Sequence, residues 1–199
     1  MKIGMIFECG PQGADLKVCK HLAQHLRPDL SISAVTLDNK KNLMEEAGRN
    51  AKLLLADGCR AVLVIWDLRP AWPEKNGKPC RHADKDAILS GLHAAGVANQ
   101  SVHLICIEQE LESWLLANER AISARLTRPA HQYEAPRVRK PDAVRNPKAV
   151  MNNHFTQARG EKYNDIVHAM QVLSSVAIDL SRMRRSASFA RFERKLLAC

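Results

Sequence analysis

Residues 61–67 read AVLVIWD. A strand with one face in water alternates apolar and polar residues. An unbroken apolar run of this length instead suits a strand buried on both faces, as in the middle of a parallel sheet. The run over 61–66 is therefore read as a strand buried on both faces, and it ends on a carboxylate, Asp67.

The segments on either side fit that reading. Upstream, a short strand is expected over 2–7. A helix over 15–26 follows, with Leu16, Cys19, Leu22, Ala23 and Leu26 at helical spacing and a stop at Pro28. A β-branched strand covers 31–37, and a helix over 42–55 ends near Gly58. Downstream, the pattern predicts a helix over 84–95, a strand over 101–107 and a helix over 110–123. The order is βαβαβ–loop–αβα, which predicts an α/β fold: a mostly parallel sheet with helices on both faces and right-handed crossovers.

After residue 123 the character changes. Prolines at 129, 136, 141 and 147 exclude a regular helix over 126–148. Helices are expected over 147–157, 162–173 and 189–197, with a shorter one over 178–185. The division is an α/β domain at 1–123, a basic proline-rich loop at 124–148 and a helical C-terminal extension at 149–199.

The chain has 199 residues, 46% of them hydrophobic, a formal charge of +9 and a pI near 9.5. A core of ordinary size is within reach, and the charge points to a polyanionic partner, nucleic acid first. Between 120 and 148 the cations Arg120, Arg125, Arg128, Arg137, Arg139, Lys140, Arg145 and Lys148 face only Glu134 and Asp142. Six scattered cysteines form no C-x-x-C pair, which suits a reducing cytoplasm. No run approaches the ~20 apolar residues of a membrane helix, and the start MKIGMIFECG reads as a strand, not a signal peptide.

In open parallel sheets ligands bind beyond the carboxyl ends of the strands. Three predicted strands end in acids: Glu8, Asp67 and Glu108, with Glu110 and Glu112 just inside the next helix. Acids at helix starts also serve the helix dipole. Clustered on one rim, they would repel one another, and a divalent cation held by oxygens alone, Mg²⁺ or Mn²⁺, relieves that. Gly10 and Gly13, in the turn after Glu8, would let backbone approach a phosphate. His21 and His25 lack a third metal ligand. Trp72, in the proline-rich loop after Asp67, is the tryptophan best placed to touch a ligand.

These residues carry a resemblance. The sequence resembles the small stand-alone Toprim-like proteins of bacteria, an uncharacterised group near the RloB-type and OLD-type nucleases. Glu8 with Gly10 matches the Toprim glutamate in its glycine-containing turn. Asp67 matches the first aspartate of Asp-x-Asp, with Arg69 standing in place of the second. ELESWLLA, residues 110–117, resembles the group's E-x-E-x-W-x-L-A signature, and the C-terminal IDL…SFARF resembles its closing pattern. The resemblance implies a Toprim-like (Rossmann-like) fold and Mg²⁺-dependent cleavage of nucleic acid, DNA before RNA. It implies Glu8 as base or metal ligand and Asp67 as metal ligand, with Glu110, then Glu108 and Glu112, as auxiliary carboxylates. Arg69 would contact phosphate, and Arg137, Arg139, Lys140 and Arg145 would follow the backbone. It also implies phage defence beside a partner ATPase and is compatible with a homo-oligomer. Two alternatives stay open: a degenerate subunit that binds nucleic acid or an ATPase, and a nucleotide or phosphate enzyme on a Rossmann-like fold.

Overall fold

In the computed structural model, which describes residues 1–73 and 77–199, the fold is α/β. Four parallel strands, β1 (Lys2–Phe7), β2 (Ser31–Thr36), β3 (Val62–Asp67) and β4 (Val102–Ile107), lie in the order β2-β1-β3-β4. Phe7 is in register with Thr36 on one side and Ile65 on the other. The central apolar run is β3, and its residues 62–66 are all buried.

Chain direction reverses beside β1. From β1 the chain goes out to β2 on one side, then crosses to β3 on the other. With right-handed crossovers, α1 (Ala14–Leu26) and α2 (Lys40–Ala56) fall on opposite faces of the sheet. The gap between the carboxyl ends of β1 and β3 is then the topological switch point, the usual place for a ligand in such sheets. Ile6, Val62, Val64 and Trp66 share one face with Leu43, Met44 and Ala47 of α2 and with Ile88 and Leu92 of α3 (Arg81–Ala94). Gly48 is what lets α2 and α3 meet: a Cβ there would lie 2.1 Å from the Gly91 carbonyl oxygen.

The chain forms two compact units, residues 1–106 with 192–199, and residues 107–191. The expected boundary at 123/124 falls inside the second unit. That unit holds α4 (Glu112–Leu116), α5 (Glu119–Leu126), α6 (Pro147–Arg159), α7 (Asp165–Leu173), α8 (Leu180–Met183) and the start of α9 (Ala187–Leu197). The single helix expected over 110–123 is two. Asn118 interrupts it, its side chain accepting a hydrogen bond from the Ala121 amide (3.3 Å) as the cap of α5. The basic loop carries one 3₁₀ turn at Pro141–Ala143. Among the described residues no helix is long and apolar enough to cross a membrane.

Candidate functional site

β1 delivers Glu8 to the switch point, and β3 delivers Asp67 as its last residue. The strands stay paired to their ends, because the Glu8 amide donates to the Ile65 carbonyl (3.3 Å). The Glu8 carboxylate accepts from the Asp67 backbone amide, and Asp15, in the first turn of α1, acts on it as a neighbouring negative charge. The structure thus brings Glu8 and Asp67 to one end of adjacent strands. Asp38, just past β2, stands at the same end of its strand with φ at 66°.

Burial pushes the Glu8 carboxyl up to about 8, and Asp15 adds to the rise; the Lys40 ammonium and the Asp67 amide act against it. Glu8 Oε2 is shielded from solvent and, among the described residues, accepts no hydrogen bond. Cys9, next in the chain, has its thiol pushed up to about 12 by burial and by Asp15. Both effects favour the neutral thiol over the nucleophilic thiolate.

Sequence reasoning missed the residues that hold this rim in place. Lys40 is 4% exposed; it donates hydrogen bonds to the carbonyls of Leu68 (3.0 Å) and Pro70 (2.7 Å) and forms an ion pair with Asp84 Oδ2 (3.2 Å). Asp84, 1% exposed, also accepts from Trp66 Nε1 (3.0 Å). The ammonium thereby ties the segment after β3 to α2 and α3. A signal was present in the sequence. A cation in the first turn of a helix opposes the helix dipole, and Lys40 stands directly after the capping Asn39. Such a lysine needs a compensating acid elsewhere.

Other expected site residues have other settings. Gly13 lacks a side chain because Cys9 fills the space: a Cβ would lie 2.4 Å from its sulfur. Its amide donates to the Gly10 carbonyl (2.8 Å), so the turn itself accounts for this glycine. A Cβ on Gly10 would face Asp38 Oδ1 at 3.1 Å. β3 ends at Asp67, so the two-residue alternation that would align Arg69 with Asp67 stops before Arg69, which is exposed. Trp72 packs against the sheet's apolar core.

In the second unit, Glu108 pairs with Arg191 (3.3 Å). Glu110 Oε2 accepts from the Lys148 amide in the first turn of α6 (3.4 Å), a favourable place for a carboxylate. Glu112 is buried at the start of α4. Arg137, Arg139, Lys140 and Arg145 are exposed. Trp114 is core, bonded to Ser188 Oγ (2.8 Å) and edge-on to Phe189. Among the described residues no group of three or more His, Cys, Asp or Glu is arranged to hold a metal ion.

Fold and rim together define the class: a doubly wound α/β protein with an acid pair at its switch point. Over residues 12–197 the sequence matches the family described as Domain of unknown function (DUF4276), and the chain belongs to that family. No curated protein and no solved structure matches the chain.

Proposed function

We propose that the protein is a Mg²⁺-dependent nuclease of Toprim-like type, with its phosphodiester site at the β1–β3 switch point. The observation that carries this reading is Glu8. A carboxylate oxygen buried at the ligand-binding end of a parallel sheet, with no hydrogen-bond donor among the described residues and with Asp67 beside it, is the setting a hard cation completes. Glu8 and Asp67 would hold the ion, and their oxygen-only chemistry suits Mg²⁺ or Mn²⁺. A bound ion would supply charge neutralisation at the phosphate and a more acidic attacking water. Glu8, with its carboxyl near 8, is also the rim group able to take a proton at neutral pH. The resemblance of the motifs supports the same reading and extends it to a partner ATPase and a phage-defence role. Six free cysteines fit a cytoplasmic setting.

The test is Mn²⁺ titration beside cleavage of single-stranded and duplex DNA and RNA, for wild type and Glu8→Gln. Loss of both Mn²⁺ binding and cleavage marks Glu8 as a ligand. Retained binding with lost cleavage marks it as the proton acceptor. Cleavage unaffected by Glu8→Gln sinks the proposal.

A second reading, a catalytically degenerate binding subunit, is favoured by the absence of a three-ligand group among the described residues and by Arg69 in place of a second aspartate. Arg69→Asp separates the two. In a degenerate site it adds a carboxylate and raises Mn²⁺ affinity, with cleavage gained. In an active site that uses Arg69 on the phosphate, cleavage falls.

A further inference from the structure

Seven of the eight cations of the basic segment divide by what they do; the eighth, Arg120, is exposed in the first turn of α5. Arg125 lies over the Phe155 ring and bonds Gln171, Arg128 donates to the Ala158 carbonyl, and Lys148 pairs with Asp165. These three hold the helices of the second unit together. Arg137, Arg139, Lys140 and Arg145 do none of this. All four are exposed, and their side chains make no hydrogen bond or ion pair among the described residues.

The strap that carries them is pinned from below. Ala135 is buried and its amide donates to Ser123 Oγ (2.9 Å); Val138 is half-buried, and Pro141 is buried. Asp142 is the sole acid from 135 to 160. It is held by the first turn of α9, accepting from Ser186 Oγ (2.7 Å), from Ser188 Oγ (3.2 Å) and from the Ser188 amide (2.8 Å). The one carboxylate within the strap is thus engaged elsewhere, while exposed Glu134 stands just before it. The backbone is anchored while four cations face solvent.

From this arrangement we infer that residues 135–145 are a docking surface for the sugar–phosphate backbone of nucleic acid, read by charge and not by base. Three of the four cations are arginines, whose planar forks match phosphate oxygens in pairs. Among the described residues the exposed large apolar ones are Leu53, Ile166, Val167 and Leu197, none of them on the strap, so nothing on the strap would insert into a lipid surface. The strap has no exposed aromatic on which a base would stack. The surface supplies a substrate class to the rim reading but fails separately from it, because its test contains no divalent cation.

The test is binding of fluorescein-labelled duplex and single-stranded DNA of random sequence, in EDTA, between about 50 and 200 mM salt. Four phosphate contacts give a slope of about −3.6 in log K against log salt for duplex, an affinity loss of roughly 10²-fold over that range. Arg137→Ala, Arg139→Ala, Lys140→Ala and Arg145→Ala together should remove that dependence, and each alone should lower the slope by about 0.9. The charge-matched set Lys41→Ala, Arg49→Ala, Lys52→Ala and Arg60→Ala, all exposed on the first unit, should leave it nearly unchanged. The inference is overturned if wild type does not bind DNA at the low-salt end or if both sets weaken binding alike. Stronger capture of polyglutamate or phosphatidylserine vesicles than of DNA overturns it as well.

Discussion

The rim of the sheet and the strap of the helical unit are both dense in charge, yet they handle it in opposite ways. At the rim the charges are buried and tied to one another. Lys40 bonds two backbone carbonyls and pairs with Asp84, and Glu8 is pushed up to about 8. On the strap the charges are exposed and its own acid, Asp142, is engaged with α9. Buried charge is coupled to folding, whereas exposed charge is available to a partner. Substitutions at the rim should therefore register first in stability, and substitutions on the strap first in binding.

The largest expected effect is at Lys40. Lys40→Met leaves Asp84 buried with the Trp66 indole as its one side-chain donor among the described residues and releases the carbonyls of Leu68 and Pro70. Removing one member of a buried pair costs about 3–5 kcal/mol. Urea denaturation should show a loss of that order, and Lys40→Met with Asp84→Asn should recover part of it. A loss below about 1 kcal/mol, the worth of an exposed pair, would mean that Lys40 and Asp84 do not fasten the rim.

Next comes Glu8. A carboxyl raised from 4.5 to about 8 takes up a proton on folding at any pH between those values. The folded state then binds more protons than the unfolded one, so stability falls as pH rises through that window. Each pH unit inside the window is worth about 1.4 kcal/mol at most, so wild type should lose on the order of 2–4 kcal/mol from this group between the acid and alkaline ends. Glu8→Gln should remove that loss and be the more stable protein above the window. Thermal melts across the pH range check it, and an unchanged profile in Glu8→Gln would place the titration elsewhere.

These two residues also show what was legible in the sequence. The strands themselves follow from periodicity, though not their order in the sheet, and a strand-end acid is visible wherever an apolar run stops. Glu8, Asp67 and the parallel sheet were therefore readable. The partnership of Lys40 with Asp84 joins residues on two helices across the β3 connection, and no local pattern encodes it. The break at Asn118 was hidden for another reason: apolar spacing continues across the interruption, and only the capping side chain marks it. Glu110 was legible as an acid near a helix start, but its use by α6, well away in sequence, was not. The strap was legible from composition alone. Which of the segment's cations are occupied depended on Phe155, Gln171, Ala158 and Asp165, all of them distant in sequence.

A smaller effect is expected at Asp142, the point where the strap is fastened. Asp142→Ala removes the acceptor of the Ser188 amide and of two serine hydroxyls at the start of α9. Loss of a helix-start acceptor costs roughly 1–2 kcal/mol. Differential scanning calorimetry should show a lowered Tm. DNA binding should weaken less than in the fourfold strap variant, since the cations remain. Binding lost as fully as in that variant would mean that the fixed backbone, and not the charge, carries most of the affinity.

The smallest stability effect should come from Arg139. Its side chain is exposed and makes no bond among the described residues, and Arg137 and Lys140 stand on either side as like charges. Arg139→Ala should change the unfolding free energy by less than about 0.5 kcal/mol, the usual range for surface sites. The sign has a physical expectation too. Removing one of several crowded cations relieves repulsion, so any change at low salt should be stabilising. It should vanish near ~1 M salt, where the screening length falls to about 3 Å. A destabilisation above about 1 kcal/mol that persists in high salt would show that Arg139 holds the strap in place. The contrast between a rim whose charge serves folding and a strap whose charge is kept for a partner would then fail at this residue.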